Sequence, residues 1–129
     1  MSDRIANIIN KLENAGKSEK LSFVVPYSNL AWAVLKVLER NNFISGVSKK
    51  GKKGYTIEAE VIKEEDGQPK ISGTKRVSKS SKRVYFGVKD LRPIKNGFGK
   101  LIMSTPIGIL TGEEARKQKV GGEPLFIIW

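Results

Sequence analysis

Neither cysteine nor histidine occurs among the 129 residues. Disulfides and thiol- or imidazole-held zinc are therefore excluded, and a packed apolar core has to supply the stability. With 39% apolar residues such a core is available, in one mid-sized domain or two small packed modules. The same absences remove the thiolate nucleophile and the usual general base near neutral pH, so most hydrolase and redox classes lack their central group. The opening residues, MSDRIANIIN, lack the long apolar stretch of a signal peptide. No run approaches the roughly eighteen apolar residues of a membrane span, and a soluble cytoplasmic protein is expected.

Apolar spacing orders the first half. Ile5, Ile8, Ile9 and Leu12 recur at helical intervals after Asp3, a candidate N-cap, and Gly16 suits a left-handed stop. Leu21, Phe23 and Val25 then alternate with Ser22 and Val24 up to Pro26, which predicts a short strand. Ser28 is placed to cap a second helix whose stripe is Val34, Val37 and Leu38, widened by Ala31 and Leu35, with Asn41 or Asn42 at its stop. Phe43, Ile44 and Val47 begin a strand that turns through Lys49 to Gly54 and returns along Tyr55, Ile57, Ala59 and Val61.

The polar stretch KEEDGQPKISG, Lys63 to Gly73, reads as the boundary, giving modules over 1–66 and 67–129. Beyond it, short apolar runs at Val84–Val88, Leu101–Met103, Ile107–Leu110 and Leu125–Trp129 predict a compact sheet. One helix interrupts it, started by the capping box of Thr111 and Glu114 and running through Ala115 to Lys119. The whole reads as α+β.

Charge is uneven. The formal total is +11, and residues 67–129 hold 13 Lys or Arg against 4 Asp or Glu. A polyanionic partner is expected, and the field that would attract it belongs to the second half. That half ends in STPIGILTGEEARKQKVGGEPLFIIW, from Ser104, which orders a hydroxyl-bearing turn, a capped helix, a paired-glycine bend and an apolar strand. Hydroxyls and freed amides at a tight turn suit the exposed base edges and sugar hydroxyls of irregular RNA.

This terminal segment resembles the signature of the small ribosomal subunit protein eight family, bacterial type, in which a Ser-Thr-Ser-x-Gly turn precedes an Ala-Arg helix and Gly-Gly-Glu. RVSKSSKRVYF, Arg76 to Phe86, resembles its middle motif, and PYSNL, Pro26 to Leu30, its helix entry. The resemblance implies an N-terminal α-β-α-β-β module packed on a smaller, mainly β module with one short helix. It implies a structural constituent of the small subunit that binds a bulged helix in the central domain of small-subunit rRNA early in assembly. It also implies contact with neighbouring small-subunit ribosomal proteins, and in some members with a mimic of the rRNA site on the protein's own messenger. By this resemblance Ser104, Thr105 and Gly108 contact unstacked bases, with Gly121 and Gly122 beside them. Pro106 replaces the second serine, Ser80 and Ser81 stand where Pro-Gly is usual, and Glu13 and Arg4 replace a common arginine and proline.

Each candidate has a plainer alternative. Ser104 and Thr105 can be an ordinary turn whose hydroxyls satisfy local backbone. Glu123 would accept from nearby hydroxyls or amides and hold the turn, or form a structural salt bridge. Arg76, Lys79, Lys82 and Arg83, with Lys75 adjacent, are candidates to grip phosphates while Tyr85 stacks on a base or sugar. The alternatives there are solvated charge and a core tyrosine. Lys49, Lys50, Lys52 and Lys53 are weaker candidates, since lysine-rich turns also aid solubility. Lys11 and Asn14 face away from the Ile5 stripe and are available to a partner or to water. Trp32 and Trp129 are expected to pack inside.

No cofactor, metal, small-molecule substrate or membrane partner is implied. Glu58, Glu60, Glu64, Glu65 and Asp66 raise the possibility of magnesium-dependent phosphoryl chemistry, but they lack a partner constellation, and no GxxxxGK[ST] occurs. A basic protein-interaction adaptor is the remaining alternative to RNA binding.

Overall fold

The computed structural model describes residues 4–17, 21–92 and 99–129. It divides into two compact units, Met1–Ser72 and Gly73–Trp129. The division falls beyond the expected break between residues 66 and 67, because the polar loop folds back. The Lys70 N–H bonds Ile62 O at 2.8 Å, the Glu64 N–H bonds Gln68 O at 2.7 Å, and Ile71 is buried.

In the first unit α1 (Arg4–Lys17) buries Ile5, Ile8, Ile9, Leu12 and Ala15 on one face. The cap expected at Asp3 lies outside the described residues. Gly16 is not a left-handed stop: it sits inside the helix without positive φ, its Cα side facing Pro69. Strand β1 (Ser22–Pro26) alternates as expected, Phe23 and Val25 inward and Val24 outward. Helix α2 (Asn29–Arg40) starts where Ser28 Oγ accepts the Ala31 N–H at 3.0 Å, filling one of the donors a helix start leaves empty. It stops at Asn41, whose side-chain amide bonds Val37 O, and Asn42 takes φ 65°. A fully buried side chain such as Leu12 or Leu38 is worth about 1.5–3 kcal/mol, more than a cap, so the apolar stripes decide that these helices pack while the caps decide where they begin.

Strands β2 (Ile44–Lys50) and β3 (Thr56–Val61) form the hairpin, and β1 adds to the other side of β3, giving the antiparallel order β1-β3-β2. A bulge between Ser45 and Ser48, with Gly46 at φ 65°, frees the Val47 N–H from the ladder. Glu39 of α2 takes that donor at 3.0 Å and holds Lys36 at 2.7 Å with its other oxygen, and both bonds pull its carboxyl below the ordinary range. Tyr55 departs from the expected strand: it lies before β3 and is 65% exposed, because the Lys52–Gly54 turn lifts it past the end of the core.

The second unit is a four-stranded antiparallel sheet, β4 (Thr74–Arg76), β7 (Glu123–Ile128), β5 (Lys100–Thr105) and β6 (Gly108–Thr111) in that order, with β7 and β5 central. Helix α3 (Gly112–Gln118) lies over one face, where Ala115 meets Leu91, Leu101 and Met103. The expected strand over Val84–Val88 does not form. Only Phe86 pairs, with Gly122, while Tyr85 is 70% exposed and Val88–Asp90 is a 3₁₀ turn. Asp90 accepts the Gly87 N–H at 2.8 Å, turning the chain away from the sheet. Trp129 is half-buried, its ring over Gly73, to which its backbone is doubly bonded at 3.0 and 3.1 Å.

The capping box is complete: Thr111 Oγ1 accepts the Glu114 N–H at 3.2 Å and Glu114 Oε1 accepts the Thr111 N–H at 2.9 Å. Thr111→Ala is expected to lower the unfolding free energy by about 0.5–2 kcal/mol, read as a lower urea midpoint at unchanged slope, with Thr111→Ser restoring most of it.

Candidate nucleic-acid interface

The start of β7 is where the candidate residues of the second unit meet. On one side Ser104 pairs with Glu123 across the β5 ladder. On the other, Phe86 and Gly122 exchange two backbone hydrogen bonds of 2.9 Å. The strand is squeezed between these neighbours. A Cβ on Gly122 would collide with the Ser104 carbonyl oxygen and stand 3.1 Å from Thr105 Cα; one on Gly121 would stand 2.5 Å from Phe86 O. Only glycine permits that approach. The result is a strip of bare backbone, with the Tyr85 hydroxyl 3.2 Å from where a Gly121 Cβ would be and the Ser104–Thr105 end of β5 along its other edge.

Pro124 follows in a central strand, where it cannot donate to a ladder. It is accommodated by a bulge, since Ile102 pairs with Phe126 but Met103 with Pro124. Its carbonyl still accepts the Ser78 N–H at 3.0 Å. The segment from Ser78 to Phe86 thus leaves and rejoins the sheet beside the same few residues of β7.

Glu123 ties that excursion down. One carboxylate oxygen accepts the Ser78 hydroxyl at 2.5 Å, and Arg83 Nη1 donates to both oxygens at 2.7 and 3.0 Å. Ser78 is 1% exposed, and its hydroxyl also accepts the Val84 N–H at 3.1 Å, closing the root of the loop. Arg76 Nε donates to Ser78 O at 2.9 Å. Partial burial raises the Glu123 carboxyl, but the Ser78 and Arg83 bonds and the charges of Arg83 and Arg76 outweigh it and hold the group below the ordinary range. Glu123 therefore anchors the basic loop rather than the hydroxyl turn. The sequence carries no signal for Ser78, because its partner Glu123 lies too far along the chain for spacing to reveal it.

At the loop's tip Lys79 and Lys82 pair through two backbone bonds of 3.0 and 3.2 Å around Ser80 and Ser81. Neither serine has positive φ, whereas the two-residue turns that match strand twist require it in at least one central residue. The bridge accordingly stays one pair long. Lys79 and Lys82 are exposed and have no anionic partner among the described residues. Arg83, by contrast, is already paired.

The β5–β6 turn is a tight hairpin around Pro106 and Ile107, with Thr105 opposite Gly108. Thr105 Oγ1 donates to Gly108 O at 2.7 Å and accepts the Ile107 N–H at 3.3 Å, so its proton is spent within the turn. Gly108 has φ 127°, a conformation that favours glycine. The Ser104 hydroxyl has no partner among the described residues.

The weaker candidates lie on the first unit. Lys11 and Asn14 are exposed on α1, and Lys50, Lys52 and Lys53 are exposed around the hairpin turn. Lys49 is engaged, its ammonium 4.8 Å from the Tyr27 ring centroid and 5.1 Å from that of Trp32. Trp32 is half-buried rather than internal, with Lys36 also 5.6 Å from its ring.

The second unit is thus a small cationic sheet with bare glycine backbone at the start of its central strand β7. Residues 3–129 match the family described as ribosomal protein S8. The chain is 40% identical over 125 residues to the small ribosomal subunit protein uS8 of Rhizorhabdus wittichii, covering 97% of this chain and 95% of that one. It is 41% identical over 130 residues to the protein of the same name from Caulobacter vibrioides, covering 100% and 98%, and 42% over 131 residues to that of Sphingopyxis alaskensis, covering 97% and 96%. The chain belongs to the ribosomal protein S8 family.

Two outcomes test this geometry. Gly122→Ala is expected to cost at least the roughly 1–3 kcal/mol typical of overpacking, because the obstacle is backbone rather than a movable side chain, and urea unfolding reads it. For Glu123, a depressed folded pKa means that its contribution is complete above the unfolded value near about 4.3 and fades as pH falls through the lower folded value. Glu123→Gln should lose stability at neutral pH and show a shallower decline on acidification than the parent.

Proposed function

We propose that this protein is a structural constituent of the small ribosomal subunit, and that its second unit binds a bulged helix of the central domain of small-subunit rRNA during assembly. The relatives named above are small-subunit proteins by name, and coverage is nearly end to end on both sides. The observation that carries the RNA reading is the arrangement around Gly121 and Gly122: an anchored loop with two lysines and a hydroxyl that have no partner among the described residues, and an exposed tyrosine ring, beside backbone that a flat group can approach closely.

Each part has a different task. Lys79 and Lys82 neutralise crowded phosphates and release counterions, which gives affinity without sequence information. Tyr85 offers a face for a base or sugar, and the Ser104 hydroxyl can donate to an exposed base edge. Gly108 and Thr105 shape the turn, and Glu123 with Ser78 sets the loop's position. The protein performs no catalysis in this role. It stabilises one arrangement of the RNA, so assembly proceeds as a population shift.

The test is binding to an RNA hairpin whose stem is interrupted by unpaired adenosines, against one of equal length fully paired, over a range of salt. Preference for the interrupted stem is expected, and its absence at moderate ionic strength would overturn the proposal. Lys82→Ala should flatten the salt slope by about 0.7 to 0.9 if it neutralises one phosphate.

A further inference from the structure

Helix α3 has seven residues and is about 10 Å long, whereas four strands set about 4.8 Å apart span about 14 Å. It packs on β5 and β6, at one side of the sheet. The β4–β7 half of the same face is left to the segment that carries Phe86 and Leu91, and that cover is incomplete. Strand register puts Lys75, Ile127 and Leu101 in one row across β4, β7 and β5. Val77, whose N–H bonds Leu125 O at 3.1 Å, continues that face beyond Lys75. Ile127 stays half-buried between the buried Phe126 and Ile128, although β7 is a central strand, and Val77 and Phe86 are half-buried as well. Leu101, Ile127, Val77 and Phe86 line a cavity of about 460 Å³, a size usual for small-molecule sites. The rest of its described lining is charged, with Lys75, Arg76 and Arg92 against Asp90 alone. Asp90 is engaged by the Gly87 N–H and Arg76 by Ser78 O. Lys75 and Arg92 are exposed and have no anionic partner among the described residues.

We propose that this cavity binds a small organic anion with an apolar body, namely a carboxylate on an aliphatic chain. The chain lies against Ile127, Leu101, Val77 and Phe86, removing their remaining apolar surface from water. The carboxylate meets Lys75 and Arg92, the two cations that nothing else on the described surface neutralises. The described lining holds no side-chain hydroxyl or amide, so a nucleobase or a sugar would find too few groups to orient its polar edges. A bare phosphate would supply charge but no apolar body to cover the walls. The site lies on the face of the sheet that α3 covers and does not depend on the RNA reading.

The experiment titrates the isotope-labelled full chain with octanoate, octanol and octylammonium, followed by backbone and methyl NMR signals. Octanoate is expected to move the signals of Val77, Phe86, Leu101 and Ile127 together, with one dissociation constant of about 1 mM or below. Octanol should bind about threefold or more weakly than octanoate, and octylammonium more weakly than octanol. Lys75→Glu changes an exposed side chain on an edge strand, and thermal unfolding checks that the fold survives. It is expected to weaken octanoate about three- to tenfold while leaving octanol within about twofold. Should that variant unfold, Arg92→Glu makes the same comparison. The proposal is overturned if octanoate leaves those four residues unmoved, if octanol binds as well as octanoate, or if the folded charge-reversed variant binds octanoate like the parent.

Discussion

The second unit depends on one close approach of backbone to backbone. Gly122 lies so near the Ser104 carbonyl that no side chain fits between them, and Gly121 lies almost as near Phe86. This contact brings the end of β5, the start of β7 and the returning loop into register, and it leaves a floor without side chains. Everything proposed for the surface follows from it. Without the approach, Glu123 would not face Ser78, the loop would have no root, and the hairpin turn would not border the strip.

Charge on this surface is organised rather than merely abundant. The second half of the sequence is strongly basic, yet its cations are not equivalent. Arg83 is bonded to Glu123 and Arg76 supports Ser78, so these two hold the loop in place. Lys79 and Lys82 project from it unpaired among the described residues. An exposed ion pair alone contributes little to stability. Here the 1%-exposed Ser78 hydroxyl, bonded on both sides, converts the pair into an anchor with defined geometry. The two lysines then meet a polyanion with less conformational entropy left to lose.

Much of the fold could be read from the order of residues. The helical stripes Ile5–Leu12 and Ala31–Leu38, the Ser28 cap, the Thr111–Glu114 box and the alternation in β1 all depend on neighbours within a few residues, and all are present. The errors came where local pattern competed with distant contacts. Val84–Val88 is apolar enough for a strand, but Gly122 offers it only a single pairing and Asp90 turns it away. Gly16 suits a helix stop by residue type, yet the helix runs through it. Tyr55 kept strand parity but lies past the end of the core.

For the candidate site the division is similar. Sequence alone determined which chemical groups are present, where helices start, that no disulfide or imidazole chemistry is possible, and that the positive field lies in the second half. Tertiary structure decided which of those groups remain available: it turned the Thr105 proton inward, assigned Arg83 to Glu123, and set Tyr85 beside the paired glycines. The reason is physical. A side chain's identity is a local property, whereas its remaining hydrogen-bonding capacity and exposure depend on partners brought together across tens of residues by backbone packing.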